Sequence, residues 1–330
     1  CGIIAYVGDE PCAELLIEGL RKLEYRGYDS AGVAVHDGAG DFRVLRAAGK
    51  LNALHELLRK NPLAGTVGIG HTRWATHGRP SEHNAHPHVS GRVAVVHNGI
   101  IENYVELKLK LQAQGRNFGS DTDTEIVAHL IDIAMESGLD LVSATRAALK
   151  QVRGAYAIAV LARSEPERIV LAKHASPLVV AVGEHAMLAA SDVPAVLAHT
   201  RDVIFLEDGE MAILERGKLS IETVEGERVE RAPMRVNWSL VQAERGGFKH
   251  FMLKEIHEQP RAIEDTLRGR VDLIAGECVA AEMGVSAETL RATRRVVLLA
   301  CGTSYHAALY GRYLLESLAK VPAVVELASE

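Results

Sequence analysis

Cys1-Gly2-Ile3-Ile4-Ala5-Tyr6-Val7 opens the sequence. Gly2 to Val7 reads as a buried strand that carries Cys1 inward. As the first residue, Cys1 joins a thiol to a free α-amine, groups that titrate near ~8.5 and ~7.7–8.0 when unperturbed. A nucleophile and a mild base are thereby tied together, the pairing that amide cleavage by a terminal residue needs. Position alone leaves three blander readings: a methionine trimmed before a small residue, a chain cut at that point, or a lipid-modified cysteine left by signal-peptide removal.

Outward from that strand, Pro11 suits the first turn of a helix whose apolar face is Cys12, Leu15, Leu16, Leu20 and Leu23. Arg26 to Gly32 reads as a turn into a strand from Val33 to His36, with further strands at Thr66 to Thr72 and Arg92 to His97. A second helix is expected from Asp123 to about Met135, with Ser120 or Thr122 as caps. From Gly154 come short β-rich runs: Ala155 to Leu161, Arg168 to Ala172, Leu178 to Val182, Ala186 to Ala190 and Val203 to Leu206. Asp208-Gly209 then signals a hairpin leading to Met211 to Leu214. Two helices among many strands point to a layered α+β domain ending near Trp238. Ser239 to Lys249 reads as a linker, and helical pattern follows to about Arg268. A βαβ unit closes the sequence: strand Val296 to Ala300, turn Cys301 to Ser304, helix Tyr305 to Lys320, strand Ala323 to Leu327. A parallel sheet needs more strands than that, so the second domain is expected to be incomplete as it stands.

A chain of 330 residues has room for about two domains. Its net charge of −6, with Lys and Arg scattered, gives no basic stripe for nucleic acid or a membrane surface. The longest apolar run, Ala155 to Ala162, is far below a membrane span. Four separated cysteines (Cys1, Cys12, Cys278, Cys301) argue against a disulfide framework and for a reducing, cytoplasmic setting. Cys12 is expected to pack as a small hydrophobe.

The densest polar stretch runs from Gly70 to Gly99 and holds six histidines: His71, His77, His83, His86, His88 and His97. A zinc reading is disfavoured, because His86 and His88 are spaced for opposite faces of a strand and no cysteine lies nearby. Arg73, beside Trp74 in a Gly- and Thr-rich loop, suits a planar carboxylate, although a plain surface arginine fits as well. Asn98-Gly99 reads either as a hairpin turn or as an oxyanion hole, built from the Asn98 NH₂ and the Gly99 backbone N–H. Ser120 to Glu125 offers carboxylates near a helix start, where capping is the plainer reading and a calcium loop a weaker one. Thr303 and Ser304 at a helix start could donate to a phosphate.

Taken together, Cys1 to Ile4, Leu23 to Gly32, His71 to Gly78, His97 to Asn103 and Cys301 to Tyr305 resemble the glutamine–fructose-6-phosphate aminotransferase (isomerising) family, the glucosamine-6-phosphate synthases. Other amidotransferases that begin with cysteine, such as amidophosphoribosyltransferase, look similar only at Cys1 and Asn98-Gly99. The resemblance implies a four-layer αββα N-terminal-nucleophile domain (class II glutamine amidotransferase) over residues 1–238. A linker, 239–249, and the first part of an α/β sugar isomerase (SIS) domain, 250–330, would follow. It implies that Cys1 attacks the glutamine side-chain amide with its own amine as base, while Asn98 and Gly99 hold the oxyanion. Arg73 would clamp the α-carboxylate beside Thr76 and His77, and Asp123 would pair with the α-ammonium. Trp74 would gate an ammonia channel, Arg26 would lie near the nucleophile, and Thr303 and Ser304 would meet the sugar phosphate. The family's isomerase bases would fall after Glu330, which puts sugar chemistry by this chain in doubt. The implied ligands are L-glutamine and fructose 6-phosphate, with no cofactor, metal, nucleic acid or membrane, and a homodimer when full length. A Cys1-lipidated anchored protein and a non-catalytic sugar-phosphate module are the competing readings.

Overall fold

β1 (Gly2–Gly8) is buried along its whole length, and its alternate side chains serve two different cores. Ile4 and Tyr6 pack with Leu16 and Leu20 of α1 (Cys12–Arg21) and with Leu51 and Leu54 of α2 (Leu51–Lys60). Ile3, Ala5 and Val7 point the other way, into an interface with a second sheet that includes Ala94, Val96, Ala157 and Ala159. A period-two strand with both faces covered has to be apolar at every position, hence its uninterrupted run.

The computed structural model describes residues 1–74, 78–236, 248–267, 270–272, 277–278 and 286–328. β1 lies inside an antiparallel sheet with β4 (Val67–Arg73), β2 (Ser30–His36) and β3 (Phe42–Ala48) on one side. β10 (Ala186–Ala190), β9 (Val179–Val182), β11 (Asp202–Phe205) and β15 (Met234–Arg235) lie on the other. The second antiparallel sheet runs β5 (His88–Ser90), β6 (Val93–Ile101), β7 (Gly154–Ala162), β8 (Arg168–His174), β12 (Glu210–Glu215), β13 (Lys218–Thr223), β14 (Arg228–Val229). Its outer face is covered by α3 (Tyr104–Ala113), α4 (Thr124–Glu136) and α5 (Leu141–Leu149), which share a core with Val93, Val95, Ile158 and Val160. Helix, sheet, sheet, helix is the αββα order.

Several local expectations change. Asn98 and Gly99 are not a turn: β6 runs on to Ile101, and they pair with Ala157 and Tyr156 of β7. Asp208-Gly209 is not a hairpin either, since β11 belongs to the first sheet and β12 to the second; it is the step between sheets. The strand after Arg26 begins at Ser30 rather than Val33, and Glu24–Arg26 is a short 3₁₀ turn. Five α-helices rather than two flank the sheets among the described residues, because α2, α3 and α5 are short and only partly apolar. Cys12 does pack as a hydrophobe: it is fully buried, and burial pushes its thiol up to about 12.

By contact density the chain divides into Cys1–Pro260 and Arg261–Glu330, the division falling inside the helix Phe251–Leu267. Most of the expected linker 239–249, and Trp238 before it, lie outside the described residues. In the second unit Val296–Ala300 and Ala323–Leu327 pair in parallel around the helix Gly302–Leu314, the expected βαβ unit. That helix starts at Gly302, so Thr303 and Ser304 sit in its first turn, exposed, instead of in a preceding loop. No helix among the described residues is long and apolar enough to cross a membrane.

Candidate active site

Cys1 precedes β1, where Gly2 and Ile3 pair with Thr72 and His71 of β4. Its α-amino nitrogen donates to the Arg26 carbonyl, and Arg26 Nε donates back to the Cys1 carbonyl at 3.1 Å. Both polar ends of the first residue are thus held by one residue of the 3₁₀ turn. Asp192 accepts from the Tyr25 hydroxyl and lies 3.8 Å from the Arg26 guanidinium, which braces that turn from behind. The Cys1 Sγ receives the Trp74 backbone N–H at 3.2 Å and faces the Trp74 carbonyl at 3.5 Å.

Arg73 is the last residue of β4 and is buried, so it is not a loop arginine as the sequence suggested. Its guanidinium donates to the carbonyls of Gly78 (3.0 Å) and Arg79 (3.5 Å) and feels Asp29, Asp123 and Asp121; burial outweighs those carboxylates and draws its pKa down. Trp74, more than half exposed, meets Tyr28 edge-on at 5.8 Å between ring centroids.

Gly99 has φ +131°, and a Cβ there would lie 2.0 Å from the Ala155 carbonyl oxygen. Only glycine fits, because a side chain would collide with the β7 backbone. Asn98 donates from Nδ2 to Ser191 Oγ at 2.8 Å and, more weakly, to the Cys1 carbonyl at 3.4 Å. Its oxygen faces His71 Nε2 at 2.9 Å.

Asp123 occupies the N-cap position of α4, but its side chain makes no cap bond; Oδ2 accepts from Ile101 N of β6 at 2.8 Å. Its charge at a helix N-terminus is favoured by the helix dipole. Ser120 and Thr122 are not caps either. Ser120 Oγ donates to Glu125, and Thr122 Oγ1 meets His88 Nε2 at 2.9 Å. Burial raises the Glu125 carboxyl, yet His129 at 3.6 Å and hydrogen bonds from Ser120 and Gly119 prevail and hold it at about 2.

The histidines cluster under the cleft. Thr124 Oγ1 bridges His86 Nε2 and His97 Nδ1, each at 2.9 Å. The rings of His86 and His88 stand 4.6 Å apart instead of on opposite strand faces, because β5 begins only at His88. Burial holds His71 and His86 well below the usual imidazole range, the Cys1 α-ammonium adding to the effect at His71; His88 falls to about 3 through burial and then Arg46. Among the described residues no group of three His, Cys, Asp or Glu is placed to hold a metal ion.

Cys1, Arg73, Trp74, Gly99 and Asp123 therefore line one cleft, together with His86, His97, Thr122 and Thr124. The cleft has room for about one water molecule. Asn98 and Arg26 adjoin it through Cys1; Thr76 and His77 lie outside the described residues, and Thr303 and Ser304 are in the other unit. A hollow of about 700 Å³ at the opposite end of β4 is lined by Thr66, Glu165, Arg168, Glu215 and Arg216. Several of its charges are paired, Arg168 with Glu165 and Glu215 and Lys218 with Glu215. Sequence reasoning gave His71 and Thr124 no individual role and passed over Ser191 and Asp192. Ser191 and Asp192 follow the strand Ala186–Ala190, and only the fold brings them to Asn98 and Arg26 beside Cys1.

Comparison with known proteins shows what the chain is similar to. The sequence profile of the glutamine amidotransferase domain matches residues 71–198, and that of the SIS domain matches residues 289–330. The whole chain is 54% identical to a glutamine--fructose-6-phosphate aminotransferase [isomerizing] of Symbiobacterium thermophilum, 54% of whose length is covered. The chain belongs to that family. Relatives of the same name from Thermus thermophilus (51%) and Methanothermobacter thermautotrophicus (50%) also match along the entire chain. The chain spans about half the length of these relatives, 54% in each case. Among solved structures, the allosteric regulatory enzyme of purine biosynthesis matches with a TM-score of 0.61 at 28% identity, over 68% of this chain and 49% of that one. A glutamine phosphoribosylpyrophosphate amidotransferase from B. subtilis gives 0.61 at 23%, over 98% and 65%, which supports the fold alone.

Proposed function

We infer that residues 1–238 hydrolyse glutamine to glutamate and ammonia. The observation that carries this reading is the meeting of the Cys1 thiol, Arg73, Asp123 and Gly99 in one cleft, with the Cys1 amine pinned on Arg26. Cys1 Sγ attacks the side-chain carboxamide carbon, and its proton passes to the α-amine. The tetrahedral oxyanion takes hydrogen bonds from Asn98 Nδ2 and Gly99 N, donors worth about 2.7–4 kcal/mol each. The amine returns the proton to the leaving nitrogen, ammonia departs, and water cleaves the thioester through a second oxyanion. Arg73 and Asp123 take the α-carboxylate and α-ammonium; for the carboxylate to bind, the guanidinium exchanges the carbonyls of Gly78 and Arg79 for it. Thr76 and His77 complete the α-carboxylate site, and Trp74 gates the exit.

In the whole protein the ammonia goes to fructose 6-phosphate, giving glucosamine 6-phosphate, with Thr303 and Ser304 meeting the phosphate. The relatives' name and the SIS match support this half. A linker at 239–249, an isomerase region from residue 250, a cytoplasmic setting and a homodimer at full length belong to the same reading. The test incubates the chain with glutamine, with and without fructose 6-phosphate, and measures glutamate and amino sugar separately. Glutamate release that Cys1→Ala abolishes is expected. Release that survives Cys1→Ala would overturn the assignment.

A further inference from the structure

Asn98 is a carboxamide, and its two ends are almost the same shape, so a donor role requires something to decide which end faces Cys1. The surrounding hydrogen bonds decide it without ambiguity. His71 Nε2 lies 3.0 Å from the His97 carbonyl oxygen, which can only accept. Nε2 must therefore carry the hydrogen. The same Nε2–H is 2.9 Å from Asn98, so the atom facing His71 has to be the carboxamide oxygen. That forces the NH₂ to the opposite side, where Ser191 Oγ stands 2.8 Å away. Ser191 Oγ already accepts the Ile3 backbone N–H at 2.8 Å, and its remaining acceptor capacity takes one Asn98 hydrogen. His71 and Ser191 are both buried, so water does not compete for these bonds. The second Nδ2 hydrogen has only the long, weak bond to the Cys1 carbonyl at 3.4 Å, which a better acceptor can displace.

We propose that His71 and Ser191 are positioning residues that lock the carboxamide of Asn98 from its two sides, fixing its rotamer and its flip so that one Nδ2–H is presented to the oxyanion before substrate arrives. The lock starts from backbone: the His97 carbonyl on β6 sets the His71 tautomer, and the Ile3 N–H on β1 orients Ser191. Both sheets of the sandwich thus converge on one side chain. Donors held in advance need no reorganisation in the transition state, which is where such groups gain their effect. This inference rests on the glutaminase reading for its catalytic consequence, whereas the lock itself is a statement about Asn98.

Two measurements test it separately. The first is kinetic, with glutamine as substrate. Ser191→Ala should lower kcat about 10–100-fold with KM within about 3-fold, the pattern of an interaction made only in the transition state. In an Asn98→Ala background the same change should cost less than about 2-fold, because nothing remains to be positioned. His71→Gln, whose terminal N–H reaches about as far as Nε2, should keep much more activity than His71→Leu. The second measurement reads the carboxamide with no turnover: the side-chain NH₂ signals of Asn98 in asparagine-¹⁵N-labelled protein, assigned by their loss in Asn98→Asp. Wild type should give one narrow pair, and Ser191→Ala should broaden or split it. Equal costs of Ser191→Ala with and without Asn98, or an unaltered Asn98 pair in Ser191→Ala, would overturn the lock. A wild-type chain that releases no glutamate would overturn the activity reading, and the NH₂ spectrum would still decide the lock.

Discussion

Lowering the pH should unfold this protein through its histidines before its carboxylates titrate. His71, His86 and His88 are buried and held well below the ordinary imidazole range by that burial, His88 at about 3. In the unfolded chain each returns to about 6.5. Because the folded values are the depressed ones, their contribution is complete above pH 6.5 and is lost as the pH falls below it, when the unfolded state alone takes up protons. Each such group costs about 1.4 kcal/mol per pH unit in that window. Three together give about 4 kcal/mol per unit between roughly pH 6 and 5, a large part of a total stability of about 5–15 kcal/mol. With a urea m-value of about 3 kcal/mol/M, the midpoint should drop by about 1 M per pH unit. The assay is urea unfolding followed by circular dichroism at pH 7.5, 6.5, 5.5 and 5.0. His88→Gln, which can still meet Thr122, should remove about a third of the slope. A midpoint that stays constant from pH 7 to 5 would refute the reasoning, since the rings would then titrate alike in both states.

Four further outcomes are expected. Gly99→Ala should cost at least about 2 kcal/mol and nearly all glutaminase activity, since its Cβ would meet the Ala155 oxygen at 2.0 Å; urea unfolding and glutamate release check both. Arg73→Lys should raise KM for glutamine about 10–100-fold and leave kcat within a few-fold, because one ammonium cannot reproduce a two-pronged charge-assisted contact. Asp132→Ala should destabilise by about 3–5 kcal/mol in the same unfolding assay, as it leaves Arg116, Arg92 and Ser90 without the buried carboxylate they share. Asp192→Asn should lower kcat/KM about 10-fold with little change in stability, because it weakens the brace on Tyr25 and Arg26 that holds the Cys1 amine.

The layered α+β class was legible because its cause is local, whereas the αββα order came with the family resemblance. Strands buried on both faces have to be apolar at every position, and Gly2 to Val7 and Ala155 to Leu161 show this directly. The family could also be read from contiguous motifs, since Arg73-Trp74 and Asn98-Gly99 carry their chemistry as neighbours. The joins were not legible. Asp208-Gly209 carries a hairpin signal whether the next strand pairs with the last one or crosses to another sheet, because a turn signal reports the bend and not the partner. Asn98-Gly99 likewise has the composition of a turn, and only pairing with β7 shows it inside a strand.

From the residues alone, then, came the layered class and two candidates, Cys1 for a nucleophile and Arg73 for a partner to a carboxylate, each of which depends on side-chain type and short-range order. The tertiary structure decided what surrounds them. Ser191 lies far along the chain from Asn98 yet accepts its hydrogen, Asp192 braces Arg26, and two histidines of the stretch that invites a metal reading, His86 and His97, prove to be buried and bridged by Thr124. The physical reason is that a hydrogen bond depends on where two atoms end up. Two sheets packed face to face bring together residues whose separation in sequence carries no trace of that meeting.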